Sequence, residues 1–123
     1  EMGQQGIWSE EESSLYAEKI KGIMRHLGIM AGDASLTQPV DITQSEYVDS
    51  AYNGCWHSDV KVGEKIVASQ KLGHIEDFFG NALDEIYARH DGIVLYMASS
   101  LSIRTGEALI AYGRPTNQNK SEK

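Results

Sequence analysis

The residues of this sequence whose types and spacing would suit a metal or catalytic site are histidines close to carboxylates. His74 and Glu76 alternate, so on a β-strand both side chains would point to one face, and Asp77 follows them. Imidazole and carboxylate groups both bind zinc, but a zinc site needs at least a third protein ligand, and none stands at a motif spacing from this pair. Two looser pairs of the same kind are His57 with Asp59 and His90 with Asp91. For all of them we expect surface or turn positions rather than a metal or catalytic site.

Cys55 is the only cysteine, and His57 stands two positions after it. A nucleophile and its base need a third group that orients the base, and no such group is identifiable, so we interpret Cys55 as a half-buried structural residue. A single cysteine allows no intrachain disulfide bond, which favours a reducing compartment such as the cytoplasm. Among the aromatic residues, we expect Trp56 and Phe78 to lie inside the core.

The composition indicates one folded domain, or a small domain with an appendage, and excludes several partners. The chain has 123 residues, of which 41% are hydrophobic and 24% charged, and its net charge is −7. Binding to phosphate backbones requires clustered cations, so we expect no nucleic-acid partner and no anionic membrane surface. The longest apolar run, residues 93–98, is far shorter than the roughly 20 residues of a membrane span.

Ser9 and Glu12 form a capping-box pattern that predicts the start of a helix, because the Ser9 hydroxyl is placed to accept a hydrogen bond from the amide of Glu12. Apolar residues then recur at helical spacing, and Gly28 is a typical left-handed stop. We therefore predict one amphipathic α-helix at about residues 10–27, with His26 as a solvated residue at its basic end. An isolated helix of this length is marginal in water, so its apolar stripe needs a partner surface.

Short β-prone runs punctuated by glycine replace the helical pattern in the second part of the chain. We predict strands at residues 46–52, 65–68, 72–76, 83–88, 92–97 and 108–112. Several short strands at close spacing indicate a mainly β fold, a small β-sandwich or barrel. Residues 60–66 and 103–109 share the pattern apolar-x-x-Gly-Glu-x-apolar, which suggests two related halves. Between them, Asp91 and Gly92 predict a hairpin turn.

These landmarks, taken in order, resemble a known family. The segments are Val-Gly-Glu-Lys-Ile-Val at 62–67, Lys-Leu-Gly-His-Ile-Glu-Asp-Phe-Phe-Gly at 71–80, His-Asp-Gly-Ile-Val-Leu at 90–95 and Thr-Gly-Glu-Ala-Leu-Ile at 105–110. They are similar to the carboxy-terminal β-domain of the succinylglutamate desuccinylase/aspartoacylase family of zinc-dependent deacylases. The resemblance covers roughly residues 47–113. It implies a barrel-sandwich hybrid fold, like that of biotinyl and lipoyl carrier domains.

The amino-terminal segment extends the resemblance. Glu1-Met2-Gly3 is similar to a Glu-x-Gly motif at the end of the family's catalytic domain, where the glutamate acts as general acid and base. The resemblance implies that residues 1–33 end an α/β zinc-hydrolase domain, that residues 34–113 form a β-rich domain and that residues 114–123 are a flexible tail. Glu1 is then the one candidate catalytic residue of this chain.

The same resemblance implies that the zinc ligands, a His and a Glu close together and then a more distant His, lie upstream of Glu1. The family's substrate-binding arginines would lie there too, so no arginine of this chain is assigned that role. We therefore expect a carboxy-terminal fragment, inactive by itself, of a zinc-dependent enzyme that removes an acyl group from an N-acyl amino acid. We expect zinc in the intact enzyme and no cofactor in the fragment, and the exposed helix stripe also allows a homo-oligomer.

Two other interpretations stay open. The chain is a non-catalytic β-sandwich interaction module if its amino-terminal helix binds a protein partner. It is a carrier domain if a lysine at a hairpin tip carries biotin or lipoate. The corresponding tip falls near residues 78–81, which contain no lysine, so the carrier is the least favoured interpretation.

Overall fold

The computed structural model describes residues 6–34 and 39–116, so Glu1 lies outside the described residues. The chain forms two compact units, Glu1–Pro39 and Val40–Lys123. The division follows the segment in which the sequence loses its helical pattern. Within the described ranges, no helix is both long enough and apolar enough to cross a bilayer.

The first unit contains a helix, α1, that spans Glu10–His26. Ser9 has an extended backbone with φ of −135° and ψ of 131°, and its hydroxyl accepts a hydrogen bond from the amide of Glu12 at 3.4 Å. Gly28, just after the helix, has a φ of 72°. The predicted helix, its cap and its left-handed stop are therefore confirmed.

The described part of the second unit contains eight strands in two antiparallel sheets. The strands are β1 (Ile42–Asp49), β2 (Gly54–Ser58), β3 (Lys65–Ile66), β4 (Lys71–Glu76), β5 (Ala82–Tyr87), β6 (Gly92–Met97), β7 (Ser102–Ile103) and β8 (Ala108–Pro115). The first sheet has the order β1-β8-β6-β3 and the second has the order β5-β4-β2-β7. The predicted mainly β fold with one helix near the amino terminus is confirmed.

One hydrophobic core draws on both sheets. Trp56 and Ile75 from the second sheet belong to the same buried cluster as Val94 and Tyr112 from the first. The Tyr112 hydroxyl accepts a hydrogen bond from the backbone amide of Arg89 at 2.9 Å, so the polar atom of this fully buried side chain has a partner. Burial raises the pKa of Tyr112 above the ordinary value of 10.0 for tyrosine.

The repeated Gly-Glu segments form two turns of the same construction. Gly63 and Gly106 have φ values of 84° and 85°, a region that glycine adopts without steric cost. The carboxylates of Glu64 and Glu107 each accept a hydrogen bond from the backbone amide three residues earlier, at 3.0 and 2.9 Å. The sequence repeat therefore encodes a repeated turn.

The strand pattern of the sequence misses β2 and β7, which are neighbours in the second sheet. The hairpin predicted at Asp91 and Gly92 is wrong, because β5 and β6 lie in different sheets and this segment crosses between them. Gly92 serves a different purpose. A Cβ there would come closer than 3 Å to the carbonyl oxygen of Gly113, so glycine allows β8 to approach.

The two aromatic residues expected in the core have different positions. Trp56 is 4% exposed, as predicted, whereas Phe78 is 70% exposed. The prediction for Phe78 is wrong because this residue follows β4 and lies in the turn that leads to β5. At the other end of the unit, β8 continues to Pro115, within the segment predicted as a tail, and residues 117–123 lie outside the described residues.

Gly73 in β4 is a position where the two central strands of the second sheet leave no room for a side chain. It lies opposite Ser58 in β2. A Cβ at Gly73 would come closer than 3 Å to the indole ring of Trp56 and to the backbone carbonyl of His57. The close contact keeps Trp56 packed against the backbone of β4.

We expect Gly73→Ala to lower the free energy of unfolding by about 3 kcal/mol, because neither the indole nor the carbonyl can move without disturbing the core. Gly63→Ala is the matched control. No atom lies within 4 Å of a Cβ built there, and its left-handed φ alone should cost about 1 kcal/mol. Urea unfolding of both variants measures the difference. Equal losses would contradict the close contact at Gly73.

Candidate functional site

Three of the candidate side chains meet on the second sheet because of the way β2 pairs with β4. The antiparallel register pairs Cys55 with Glu76, Trp56 with Ile75 and His57 with His74. Side chains alternate along a strand, and Trp56 and Ile75 are buried in the core. His57, His74 and Glu76 therefore share the opposite face of the sheet.

The carboxylate of Glu76 contacts both imidazole rings. Its Oε1 is 3.2 Å from Nε2 of His74, and its Oε2 is 3.4 Å from Nε2 of His57. The two rings are stacked, with centroids 4.9 Å apart and an interplanar angle of 13°. Each residue offers one ligand atom, and these three atoms lie within 4.8 Å of one another. Within residues 6–34 and 39–116, this is the one group of three or more such residues that could hold a metal ion. We call these three residues the His–Glu cluster.

The His–Glu cluster is open to solvent on one side. The side chains of His57, His74 and Glu76 are 41%, 26% and 31% exposed, so a small ion can reach them. The Nδ1 atom of His74 is buried and has no hydrogen-bond partner within the described part of the chain. The polar contact that the structure gives to His74 therefore runs through Nε2 to Glu76.

A separate ion pair flanks the cluster. Glu85 on β5 lies opposite His74, and Nζ of Lys71 is 2.7 Å from Oε1 of Glu85. The hydrogen bond from Lys71 lowers the pKa of Glu85, and the same bond raises the pKa of Lys71. An exposed pair of this kind contributes little to stability. The Lys71 ammonium is thus paired with Glu85, whereas Glu76 contacts the two histidines.

The chemistry of the donor atoms is that of a transition-metal site rather than of a nucleophile. Two imidazole nitrogens and one carboxylate oxygen are ligands that zinc accepts, and three protein ligands leave a further position for water. Cys55 is half-buried on β2, and its sulfur is not part of the cluster. Cys55 lies opposite Glu76 and on the same face as His57, but within the described residues no hydrogen bond joins its sulfur to the imidazole, as a nucleophile and its base would require.

Asp77 follows the cluster in sequence but does not join it. Its carboxylate accepts hydrogen bonds from the amides of Phe79 and Asn81, at 2.8 and 2.9 Å, and from the side-chain amide of Asn81 at 2.8 Å. These bonds close the turn between β4 and β5. They lower the pKa of Asp77, and the side chain of Asn81 has the largest effect.

His90 lies in a different and buried environment. Its Nδ1 donates a hydrogen bond to the backbone carbonyl of Asp91 at 2.8 Å, and its Nε2 is 3.8 Å from a carboxylate oxygen of Glu46. The Asp91 carboxylate instead accepts a hydrogen bond from the amide of Ala68, so it is not the partner of the ring. Glu46 also forms an ion pair with Arg89 at 2.8 Å. Sequence spacing misses Glu46 because it lies far away on β1.

The other sequence-predicted candidates are not brought into a site. His26 is exposed in α1, and Asp59 is exposed just after β2. Glu1, the candidate catalytic residue, lies outside the described residues. The His–Glu cluster is thus the arrangement in the described part of the chain that combines histidines with a carboxylate at ligand distance.

Solved structures resemble this chain strongly in fold and weakly in sequence. A succinylglutamate desuccinylase/aspartoacylase family protein from Shewanella amazonensis matches 92% of this chain and 33% of its own, with a TM-score of 0.75 and 19% identity. A succinylglutamate desuccinylase/aspartoacylase from Rhodobacter sphaeroides matches 93% and 38%, with a TM-score of 0.74 and 22% identity. The ectoine utilization protein EutE (DoeB) from Ruegeria pomeroyi matches 89% and 36%, with a TM-score of 0.77 and 20% identity. The chain has the fold of part of these structures.

The resemblance predicted from the sequence is therefore confirmed as a resemblance of fold. The chain spans between 33% and 38% of the length of these three structures. No family model matches the sequence, and no curated protein matches it. The comparisons support a shared scaffold, and they do not carry residue roles.

The described residues do not fit the catalytic zinc site that the resemblance implies. That site has a His and a Glu close together and then a more distant His, all ahead of the Glu-x-Gly segment. The His–Glu cluster has the order His57, His74, Glu76 and follows that segment in the chain. The cluster is therefore a separate feature of the β unit.

We expect Asp77→Ala to lower the thermal midpoint of unfolding, because the amides of Phe79 and Asn81 lose their acceptor. The folded pKa of Asp77 lies below its ordinary value of 3.8, so its stabilising contribution is present above that pH and is lost as the pH falls through the lowered value. The difference in midpoint between the variant and the unchanged chain should shrink below pH 3.8.

Asp59→Ala is the control for this experiment, because it removes an exposed carboxylate that lies outside the turn. Its midpoint should stay close to that of the unchanged chain at every pH. Calorimetric or circular-dichroism melting curves at several pH values measure both variants. A loss in Asp77→Ala that does not vary with pH would contradict the role given to the charge.

Proposed function

We propose that this chain is the carboxy-terminal part of a zinc-dependent hydrolase that removes an acyl group from an N-acyl amino acid. The observation that carries the proposal is the likeness of fold, over about nine-tenths of the chain, to structures named succinylglutamate desuccinylase or aspartoacylase. The order of the sequence landmarks supports the same family. Because one fold can host many activities, the activity itself is what the experiment has to test.

In this proposal Glu1 is the residue of this chain that reacts. It takes a proton from the water that attacks the amide carbonyl carbon and passes a proton to the leaving amine. Zinc, when bound, polarises that carbonyl and acidifies the water. Its ligands belong to the longer protein, since the described residues do not fit that site. The 123-residue chain is then inactive by itself.

The β unit serves as a scaffold that contributes to the rim of the active site or to contacts between subunits. We assign it to the barrel-sandwich hybrid fold of the biotinyl and lipoyl type. The two turns of equal construction at Gly63 and Gly106 support two related halves. Residues 77–81, the turn between β4 and β5, contain no lysine that would carry biotin or lipoate, which favours a structural role over a carrier role.

The apolar stripe of α1 also fits a second candidate, a non-catalytic interaction module. Leu15, Ile20, Ile23 and Leu27 are between 44% and 63% exposed. In a longer hydrolase the stripe packs against the rest of the catalytic domain or against another subunit. In an interaction module it binds a groove on a protein partner. The charge of −7 argues against nucleic acid and anionic membranes in either case, and we propose a cytoplasmic protein.

The intact mass of the native polypeptide, identified by a peptide from residues 72–89, decides between the two candidates. A mass well above 13.6 kDa supports the hydrolase, and the longer protein should then be assayed with N-acetylated and N-succinylated amino acids. A mass near 13.6 kDa contradicts the hydrolase and supports the interaction module.

In the longer protein we expect Glu1→Gln to lower kcat by about 100-fold or more, because an amide cannot take a proton from water. Glu10→Gln is the matched control, since Glu10 is an exposed residue in the first turn of α1. Its kcat should be unchanged, and a chelator should remove the activity of the unmodified protein until zinc is restored. Full activity in Glu1→Gln would remove the role given to Glu1.

A further inference from the structure

We propose that His57, His74 and Glu76, the His–Glu cluster, bind one divalent transition-metal ion such as Zn²⁺ or Co²⁺. The site lies on the face of the second sheet that points away from the core. A bound ion would join β2 to β4 through their side chains and keep a coordination position for water. The proposal rests on contacts within the β unit and does not depend on the proposed hydrolase activity.

The spacing of the donor atoms suits such an ion. Ligands about 2.0–2.1 Å from a tetrahedral zinc ion lie about 3.3–3.4 Å from one another. The distances from Glu76 oxygens to Nε2 of His74 and of His57, 3.2 and 3.4 Å, are already close to this value. The ligand atoms of the two histidines, within 4.8 Å of each other, need one ring to tilt. The His57 side chain is 41% exposed and has room to do so.

The backbone positions the three side chains before any ion binds. His57 and His74 lie directly opposite each other on adjacent strands. On the core side of the same strands, the buried pair Trp56 and Ile75 fixes the register. Ligands on strands that are already ordered lose little conformational entropy on binding.

The donor set also determines which cations bind. Two imidazoles and one carboxylate suit Zn²⁺, Co²⁺, Ni²⁺ and Cu²⁺, whereas Mg²⁺ and Ca²⁺ require more oxygen ligands than the cluster offers. The carboxylate of Glu76, which contacts both imidazole rings, supplies negative charge that favours a cation.

The second nitrogen of His74 sets a limit on the affinity. When Nε2 binds the ion, the ring proton moves to Nδ1, which is buried and has no acceptor among the described residues. Metal-bound histidines normally donate from this second nitrogen to an acceptor. We therefore expect weaker binding than in a site that provides one.

Titration of the full 123-residue chain with Zn²⁺ and with Co²⁺ at neutral pH tests the proposal. Isothermal titration calorimetry should show one ion bound per chain. Bound Co²⁺ should give the visible absorption of an ion with a low coordination number, and an excess of Mg²⁺ should not displace it. No binding of either ion, or displacement by Mg²⁺, would overturn the proposal.

Single variants locate the ion. We expect His57→Gln, His74→Gln and Glu76→Gln each to weaken Zn²⁺ binding by at least about tenfold. The matched controls are His26→Gln, which changes an exposed histidine in α1, and Glu10→Gln, which changes an exposed glutamate in the first turn of the same helix. Both should bind Zn²⁺ as the unchanged chain does. Equal affinity in all five variants would place the ion elsewhere and overturn the proposal.

If a variant fails to fold, a measurement on the unchanged chain can still locate the ion. In NMR spectra, the imidazole resonances of His57 and His74 should shift when Zn²⁺ is added, and those of His26 and His90 should not. Shifts of His26 or His90 without His57 and His74 would contradict the assignment. None of these three experiments involves hydrolysis, so a failure here leaves the proposed hydrolase intact, and a failed hydrolase assay leaves the metal site intact.

Discussion

The antiparallel register between β2 and β4 is the constraint on which the rest of the β unit depends. It places Trp56 opposite Ile75, and both side chains are buried in the core that the two sheets share. Since side chains alternate along a strand, the same register puts His57 and His74 on the other face. A slip by one residue would move the indole to solvent and the imidazole into the core. Burial of Trp56 therefore fixes the position of the histidines.

Close packing protects this register from the core side. A Cβ at Gly73 would overlap the Trp56 ring and the backbone of β2, so glycine at this position lets the indole pack against β4. The two turns at Gly63 and Gly106 act at the ends of other strands, and the glutamate carboxylate in each accepts a backbone hydrogen bond of its own turn. Sheet register and turn geometry are thus specified by different residues, the first by packing and the second by local hydrogen bonds.

Local features of the sequence predict the local parts of the structure. The Ser9 cap and the Gly28 stop give the helix to within one residue, because capping is decided inside a single turn. The pairing of β2 is decided by a contact with a distant segment, which no periodicity within β2 records. His57 therefore suggests Asp59 as a partner by spacing, whereas the structure gives it His74 and Glu76 from β4. Asp77 shows the opposite case. It follows His74 and Glu76 in sequence, which suggests a role in the same site, but its hydrogen bonds close the turn between β4 and β5.

Fold likeness and the His–Glu cluster bear on different properties of the molecule. At about 20% identity, the likeness to desuccinylase and aspartoacylase structures concerns the backbone, which many sequences can share. The cluster depends on three particular side chains at neighbouring positions of two strands. A chain with the same sheets and other residues at positions 57, 74 and 76 would keep the scaffold and lose the ligands. The likeness therefore describes the scaffold, while an ion bound at this face would be a property of this sequence.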